Sequence, residues 1–498
     1  MLVGIELVLD MAAASYDARP ATGTRGDALT FADLDRIAGG GAALIRAAGA
    51  GSVAFLGVNG PVLPALMFAA ARAGVPICPL NYRLAAGQLA ELLGQLDAPY
   101  VVADPSHGGL LPGSEVHDAD DWLAAAAAAE PLAAEPAADD EAAVILFTSG
   151  TTAAPKAALL RHQNLVSYVI QTVEFGSADE DDAILVSVPP YHVAGVGAAL
   201  TNVYAGRRMV YLPDFSPQSW LELVRREAIT NAMVVPTMLA RIVDHLAGAP
   251  AATPSLRTLA YGGARMPAPV LEAALAAFPD VDFVNAYGLT ETSSTIAVLG
   301  PDDHRRAFAS DDPLIRARLS SIGRFVPGIE AQIRDDAGRV VAPGEFGELW
   351  VRGPQVSGEY RGRGSVVDAE GWFPTRDLAR VDDEGYVFLN GRADDTIIRG
   401  GENIAPQEVE AVLADFPGIR DAAVIGVPDD EWGQRLVAVL VAEDAAHFDA
   451  QQVTSFVRER LRGSRTPDDI VLRSELPYSA TGKLLRRVLI AELTGSSA

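Results

Sequence analysis

VILFTSGTTAAPKAALL, residues 144–160, opens as a buried strand and continues into a turn suited to a polyanion. Val144, Ile145, Leu146 and Phe147 form an apolar run with the β-branched and aromatic content of a strand covered on both faces. Thr148, Ser149, Gly150, Thr151, Thr152 and Ala153 follow, all small, then Ala154, Pro155 and Lys156. Threonine hydroxyls and backbone N–H groups donate to phosphate oxygens, Gly150 permits close approach, and Lys156 adds a compact positive charge. The spacing is not that of a Walker loop, because Gly150 and Lys156 are six apart and Ala157 follows the lysine. A Ser/Thr-rich turn alone is equally an ordinary surface turn.

The lysine count sharpens the reading. Of 39 cationic side chains 37 are arginine, and the two lysines are Lys156 and Lys483. Lys483 ends a second turn-like stretch, Pro477-Tyr478-Ser479-Ala480-Thr481-Gly482-Lys483. A chain that uses arginine wherever bulk charge suffices keeps lysine where a flexible point charge is needed rather than a planar fork.

TSGTTAAPKAA resembles the phosphate loop of the adenylate-forming superfamily, which includes acyl-CoA synthetases, peptide-synthetase adenylation domains and luciferases. Further matches follow in that family's order. They are Pro190-Tyr191-His192, Gly262-Gly263-Ala264, Tyr287-Gly288-Leu289-Thr290-Glu291, Trp372-Phe373-Pro374-Thr375-Arg376-Asp377, Gly391-Arg392-Ala393-Asp394-Asp395, Gly400-Gly401-Glu402-Asn403 and the Lys483 segment. Ala153, Ala157 and Arg376 stand where the family usually has glycine.

At 498 residues and 49% hydrophobic, the chain can form several layers and at least two domains. A net charge of −26 disfavours nucleic acid and anionic membrane surfaces as partners. The start, MLVGIELVLDM, lacks the basic region of a secretory signal, and no apolar run is long enough to span a membrane. Cys78 is the single cysteine, which fits a reducing cytoplasm. Residues 53–58 and 75–80 read as strands flanking a helix over 62–73, a βαβ unit that implies a parallel sheet. Strands are also expected at 184–188, 231–236, 256–261 and 283–287, and a helix over 161–175. From about residue 322 the texture changes to short Gly-punctuated strands, expected to form a small barrel-like β subdomain. The expected fold is α/β. A large N-terminal domain (1–392) carries stacked mixed and parallel sheets, and a small mobile α+β domain (393–498) of roughly 105 residues follows.

The resemblance implies roles for named residues. Thr148, Ser149, Gly150, Thr151, Thr152 and Lys156 would cradle the β- and γ-phosphates of ATP. Gly262, Gly263, Ala264 and Tyr287 would receive adenine, with the missing side chains letting a flat ring lie against the backbone. Thr290 would meet the α-phosphate and Glu291 would hold Mg²⁺, which commonly takes one carboxylate with phosphate oxygens and water. His192 leaves a strand end, where open α/β sheets bind ligands, and would border the acyl carboxylate. Asp377 would accept both ribose hydroxyls, assisted by Arg392. Asp394 would be the hinge, Gly400 and Gly401 would face the pantetheine arm of coenzyme A, and Lys483 would catalyse adenylation.

The implied activity is ATP-dependent, AMP-forming ligation of a carboxylic acid to CoA through an acyl-adenylate. Transfer to the pantetheine of a carrier protein, or to another nucleophile, uses the same first half-reaction and stays open. So does a nucleotide-binding protein without catalysis, and the sequence leaves the oligomeric state undetermined. The segments expected to line the acyl pocket, 192–197, 262–264, 287–288 and 292–294, contain no Lys or Arg. An apolar monocarboxylate is therefore expected rather than a diacid or an amino acid.

Overall fold

The computed structural model describes residues 4–111, 113–132, 141–148, 155–399, 402–429, 432–444, 448–461, 463–479 and 482–495. Ser149, Gly150, Thr151, Thr152, Gly400 and Gly401 lie outside them. The chain divides into two compact units, residues 1–331 with 351–373, and residues 332–350 with 374–498.

Among the described residues, the first unit is built on two large sheets with helices packed against them. In the nine-stranded sheet Ala183–Val186 lies between Asn231–Val234 and Arg208–Tyr211, and all three run parallel. Parallel pairing continues through Thr258–Gly262 to Asp282–Leu289, and antiparallel strands close both edges. In the eight-stranded sheet Ser52–Leu56 is flanked in parallel by Ile77–Pro79 and Pro99–Ala103. Alternation decides what each strand face covers. Val53 and Phe55 enter the large shared core, whereas Ala54 and Leu56 face a smaller cluster with Leu89, Leu92 and Val101. The helix Val62–Ala73 is buried along its whole length, as its near-continuous apolar sequence requires. Its arginine, Arg72, is neutralised by Asp35 and by Asp10 at 2.6 Å.

The second unit contains almost all of a four-stranded sheet, Glu330–Arg334, Gly347–Arg352, Phe373–Val381 and Val387–Arg392 in that order, where the sequence suggested a small barrel-like subdomain. It ends in an α+β fold whose three-stranded sheet, Ile419–Asp429, Gly433–Ala442 and Asp469–Leu472, is covered on two faces. Val424, Leu436 and Leu440 pack with Val409 and Val453 on one face, and Ile425, Val437 and Val439 with Leu489 on the other.

Among the described residues, no helix is long and apolar enough to cross a membrane. Arg376 is a finding of its own, because its φ of 64° lies in the left-handed region that favours glycine. Ala157 carries no such strain. It sits in a strand opposite Phe147 and is absent from the residues with positive φ.

The start of the first unit is tied down by His162, whose Nδ1 accepts a hydrogen bond from the Ile5 amide at 3.1 Å, with the Glu6 carboxylate 3.7 Å away. Burial holds this imidazole neutral, lowering its pKa to about 4. The unfolded chain therefore binds a proton below about pH 6.5 that the folded chain refuses until about pH 4, so stability falls as pH drops through that window. His162→Gln should flatten the fall by up to about 3 kcal/mol, read from denaturant unfolding at pH 7 and pH 4.5. An unchanged pH slope in the variant would assign the acid sensitivity to other groups.

Candidate active site

The quoted stretch is a hairpin. Ala142–Thr148 pairs antiparallel with Lys156–Arg161, and Thr148 stands opposite Lys156. The Thr148 hydroxyl donates to the Lys156 carbonyl at 3.3 Å, which closes the two ends of the loop. The second strand was missed in the sequence, where Lys156-Ala157-Ala158-Leu159-Leu160-Arg161 carries a helix former at every position. Pairing with a buried strand overrides that local preference.

A third strand, Glu359–Tyr360, joins the hairpin at Ala158 and brings Glu291 to it. The Tyr360 hydroxyl donates to Glu291 Oε1 at 2.6 Å. The Ser357 and Gly358 amides donate to the Glu291 carbonyl at 2.9 and 3.2 Å. Lys156 Nζ lies 5.5 Å from the centre of the Tyr360 ring. Thr148, Lys156 and Glu291 are thus brought together, and Tyr360, which sequence reasoning did not single out, joins them.

Glu291 lies in a tight turn, Thr290–Thr292, after the strand Asp282–Leu289. The Thr292 hydroxyl accepts from the Leu289 amide at 2.9 Å and so caps the turn. A bulge separates Tyr287 from Gly288, where a Cβ would lie 1.8 Å from the Ser294 carbonyl oxygen. Ser293 and Ser294 hold φ of 53° and 101°, strain of the kind that clusters at functional turns. Among the described residues, no group of three or more His, Cys, Asp or Glu side chains forms a ready-made metal cage. Glu291 is a hard oxygen donor tied through Tyr360 to the strand that begins at Lys156, a donor set that fits Mg²⁺ sharing its coordination with phosphate and water.

His192 follows the strand Ala183–Val186 at the point where the chain crosses to one neighbour and returns on the other, the ligand-binding crevice of open α/β sheets. It precedes the helix Val193–Ala205. Its Nε2 is buried without a hydrogen-bond partner among the described residues. Burial first, then the charge of Arg83, lowers its pKa to about 4, so the ring is neutral at pH 7. Tyr191 packs against it with ring centroids 4.6 Å apart, and Tyr82 meets Tyr191 edge-on at 5.5 Å. On the helix, a Cβ at Gly197 would lie 3.4 Å from Ser294 Oγ, so this crevice adjoins the Glu291 turn.

Gly262 ends the parallel strand Thr258–Gly262 and Gly263 follows it, but their glycines have local causes. A Cβ on Gly262 would stand 2.2 Å from the Ala286 carbonyl oxygen of the adjacent strand, and Gly263 has a φ of 85°. Room for a flat ring is not what demands glycine at either position. Ala264 follows them, and Tyr287 lies opposite Ala297 on the next strand pair.

In the second unit Asp377 and Arg392 are cross-strand partners, with Arg392 Nε 3.7 Å from Asp377 Oδ1. Thr375 locks the pair. Its hydroxyl accepts from the Asp377 amide at 3.1 Å, and its carbonyl accepts from Arg392 at 3.2 Å. Asp394 is exposed in the short turn Ala393–Asp395. Lys483 is exposed in a turn where its carbonyl accepts from the Ser479 amide at 2.8 Å and its amide donates to Ser479 Oγ at 3.0 Å.

The pattern of AMP-binding enzymes matches residues 9–361, and that of the AMP-binding enzyme C-terminal domain matches residues 408–483. A feruloyl-CoA synthase of an Amycolatopsis species is 35% identical over 93% of both chains. An indoleacetate–CoA ligase of Aromatoleum aromaticum is 31% identical over 94% of both. The solved o-succinylbenzoate CoA synthetase of Bacillus subtilis, in complex with an acyl-adenylate intermediate, superposes with a TM-score of 0.84. It is 29% identical over 97% of each chain.

Proposed function

Because this chain belongs to the AMP-binding enzyme family, we propose that it is an ATP-dependent, AMP-forming carboxylate–CoA ligase that works in two steps. In the first, a carboxylate oxygen attacks the α-phosphorus of ATP, the bond to the bridging oxygen breaks, and pyrophosphate leaves. In the second, the thiol sulfur of CoA attacks the acyl carbonyl, AMP leaves, and the thiol proton passes to water. The observation that carries this reading is the joining of Lys156, at the foot of the phosphate-type loop, to Glu291 through Tyr360, in a chain that matches both domains of the family.

The residue roles are those that the family resemblance implies. Thr148 and Lys156, with Ser149, Gly150, Thr151 and Thr152, hold the leaving pyrophosphate. Thr290 donates to the α-phosphate. Glu291 would hold Mg²⁺, which when bound neutralises charge on the phosphate oxygens. Gly262, Gly263, Ala264 and Tyr287 receive adenine, and Asp377, braced by Arg392, accepts the ribose hydroxyls. The neutral His192 presents a polar atom to the carboxylate without adding a competing charge. Residues 393–498 act as a mobile body hinged at Asp394, offering Lys483 for adenylation and the Gly400-Gly401 face for the pantetheine arm. A reducing cytoplasmic setting suits the single, buried Cys78.

The acid is an apolar monocarboxylate, a medium aliphatic chain or a single ring. A second carboxylate among the pocket segments would be buried without a cation, at a cost of several kcal/mol. Arg83, which acts electrostatically on His192, is exposed and solvated. A panel of acids followed by pyrophosphate release, with CoA-dependent release of AMP, tests the reading. A kcat/KM at least about 10²-fold lower for a short diacid than for a monoacid of similar size is expected. A diacid that outperforms every such monoacid overturns the substrate class, with Arg265, the cation that directly follows Gly262-Gly263-Ala264, the first residue to examine.

A further inference from the structure

The contact between Tyr360 and Glu291 has a chemistry that the roles above leave unused. A phenol donating to a carboxylate over 2.6 Å makes a short, charge-assisted hydrogen bond, and such a bond fixes the direction in which the carboxylate faces. Glu291 is gripped at its main chain as well, since the Ser357 and Gly358 amides both donate to its carbonyl. One short segment, residues 357–360, therefore fixes both ends of this residue. The same tyrosine lies in a strand paired with the hairpin at Ala158, and its ring stands 5.5 Å from the Lys156 ammonium.

We propose that Tyr360 is a positioning residue, whose hydroxyl orients the Glu291 carboxylate for the metal ion of the nucleotide while its ring sets Lys156 beside it. The proposal rests on the reading of Glu291 as the metal-holding carboxylate. A carboxylate has two oxygens, and committing one to a phenol restricts how the other meets a cation. Carboxylates that bind metals are commonly held by an outer hydrogen bond, and removing it costs about 10–100-fold in metal affinity. The ring contributes separately, because a cation near an aromatic face is attracted without any bond to the hydroxyl.

Two substitutions separate these contributions. Tyr360→Phe keeps the ring and removes only the hydroxyl, whereas Tyr360→Leu removes both. The direct readout is Mn²⁺ binding to the protein with α,β-methylene-ATP, followed by electron paramagnetic resonance, so that no turnover is needed. Tyr360→Phe should weaken Mn²⁺ binding about 10–100-fold. Metal-free binding of the analogue and the thermal midpoint should stay as in the wild type. Tyr360→Leu should show the same metal loss and also weaken metal-free binding of the analogue. In turnover, Tyr360→Phe should raise the Mg²⁺ concentration needed for half-maximal rate and leave kcat at saturating Mg²⁺ nearly intact.

Glu291→Gln is the reference. If it abolishes tight Mn²⁺ binding while Tyr360→Phe binds Mn²⁺ as well as the wild type, the positioning role is overturned and the reading of Glu291 stands. If Glu291→Gln itself binds Mn²⁺ normally, the reading of Glu291 falls and the proposal falls with it.

Discussion

Lys483→Ala should lower the rate of acyl-adenylate formation by about 10²–10³-fold, the loss typical of one electrostatic donor aimed at developing charge. Thioester formation from supplied acyl-adenylate should stay within about twofold of wild type, because the lysine has no task once pyrophosphate has left. The substitution is a clean test of chemistry. Lys483 is exposed, and the bonds that its own amide and carbonyl make to the Ser479 hydroxyl and amide are ones that alanine preserves. Gly482, with a φ of 73°, keeps the turn in place. The measurement is single-turnover pyrophosphate release set against thioester formation from the isolated intermediate. Equal damage to both halves would mean that Lys483 serves a shared conformation and that the two-step use of the C-terminal domain is wrong.

The complementary expectation concerns the hinge. Asp394→Pro should leave pyrophosphate exchange near wild type and slow transfer to CoA by about tenfold or more, since movement of a domain between two half-reactions can set the overall rate. Proline locks φ near −65° and so restricts rotation about the backbone at that residue. Asp394 sits in a single short turn between the strands Val387–Arg392 and Ile397–Arg399. Its neighbour Asp395 pairs with Arg486 at 3.5 Å. Rapid-quench measurement of thioester formation decides the matter. Transfer at the wild-type rate would move the hinge to another residue.

Much of the fold was legible because buried parallel strands announce themselves. The runs expected to be strands at 53–58, 184–188 and 256–261 are short, largely apolar and bounded by small or turn-forming residues, and each overlaps a strand of the first unit, Ser52–Leu56, Ala183–Val186 and Thr258–Gly262. The helix Val62–Ala73 was equally plain, with glycine at its C-terminus in the left-handed region. Lys156–Arg161 was not, since its side chains favour helix and only the partner strand makes it extended. Glycine reading was incomplete for a related reason. Gly262 and Gly288 are glycines because carbonyls of neighbouring strands crowd them, and that crowding exists only after the sheet has formed. Arg376 shows the converse, a left-handed residue that kept a large side chain, with its guanidinium 3.6 Å from Glu348.

The site followed the same division. His192 and Glu291 were readable as a histidine and a carboxylate leaving strand ends, positions where an α/β sheet places its ligands. Asp377 and Arg392 were separately visible, and only the sheet shows that they are cross-strand partners. Tyr360 was hidden between Glu359 and Arg361 in a stretch that reads as solvated surface. Its contact with Glu291 spans 69 residues of chain, a separation that no local pattern reports.

The most direct test of the central claim is ATP–pyrophosphate exchange measured without CoA, with and without a monocarboxylic acid such as a medium-chain fatty acid or an aryl acid. The account predicts exchange of labelled pyrophosphate into ATP only when the acid is present, followed by stoichiometric AMP and thioester once CoA is added. ATP bound with no acid-dependent exchange across a broad panel of carboxylates would contradict it, and would leave a nucleotide-binding protein rather than a ligase.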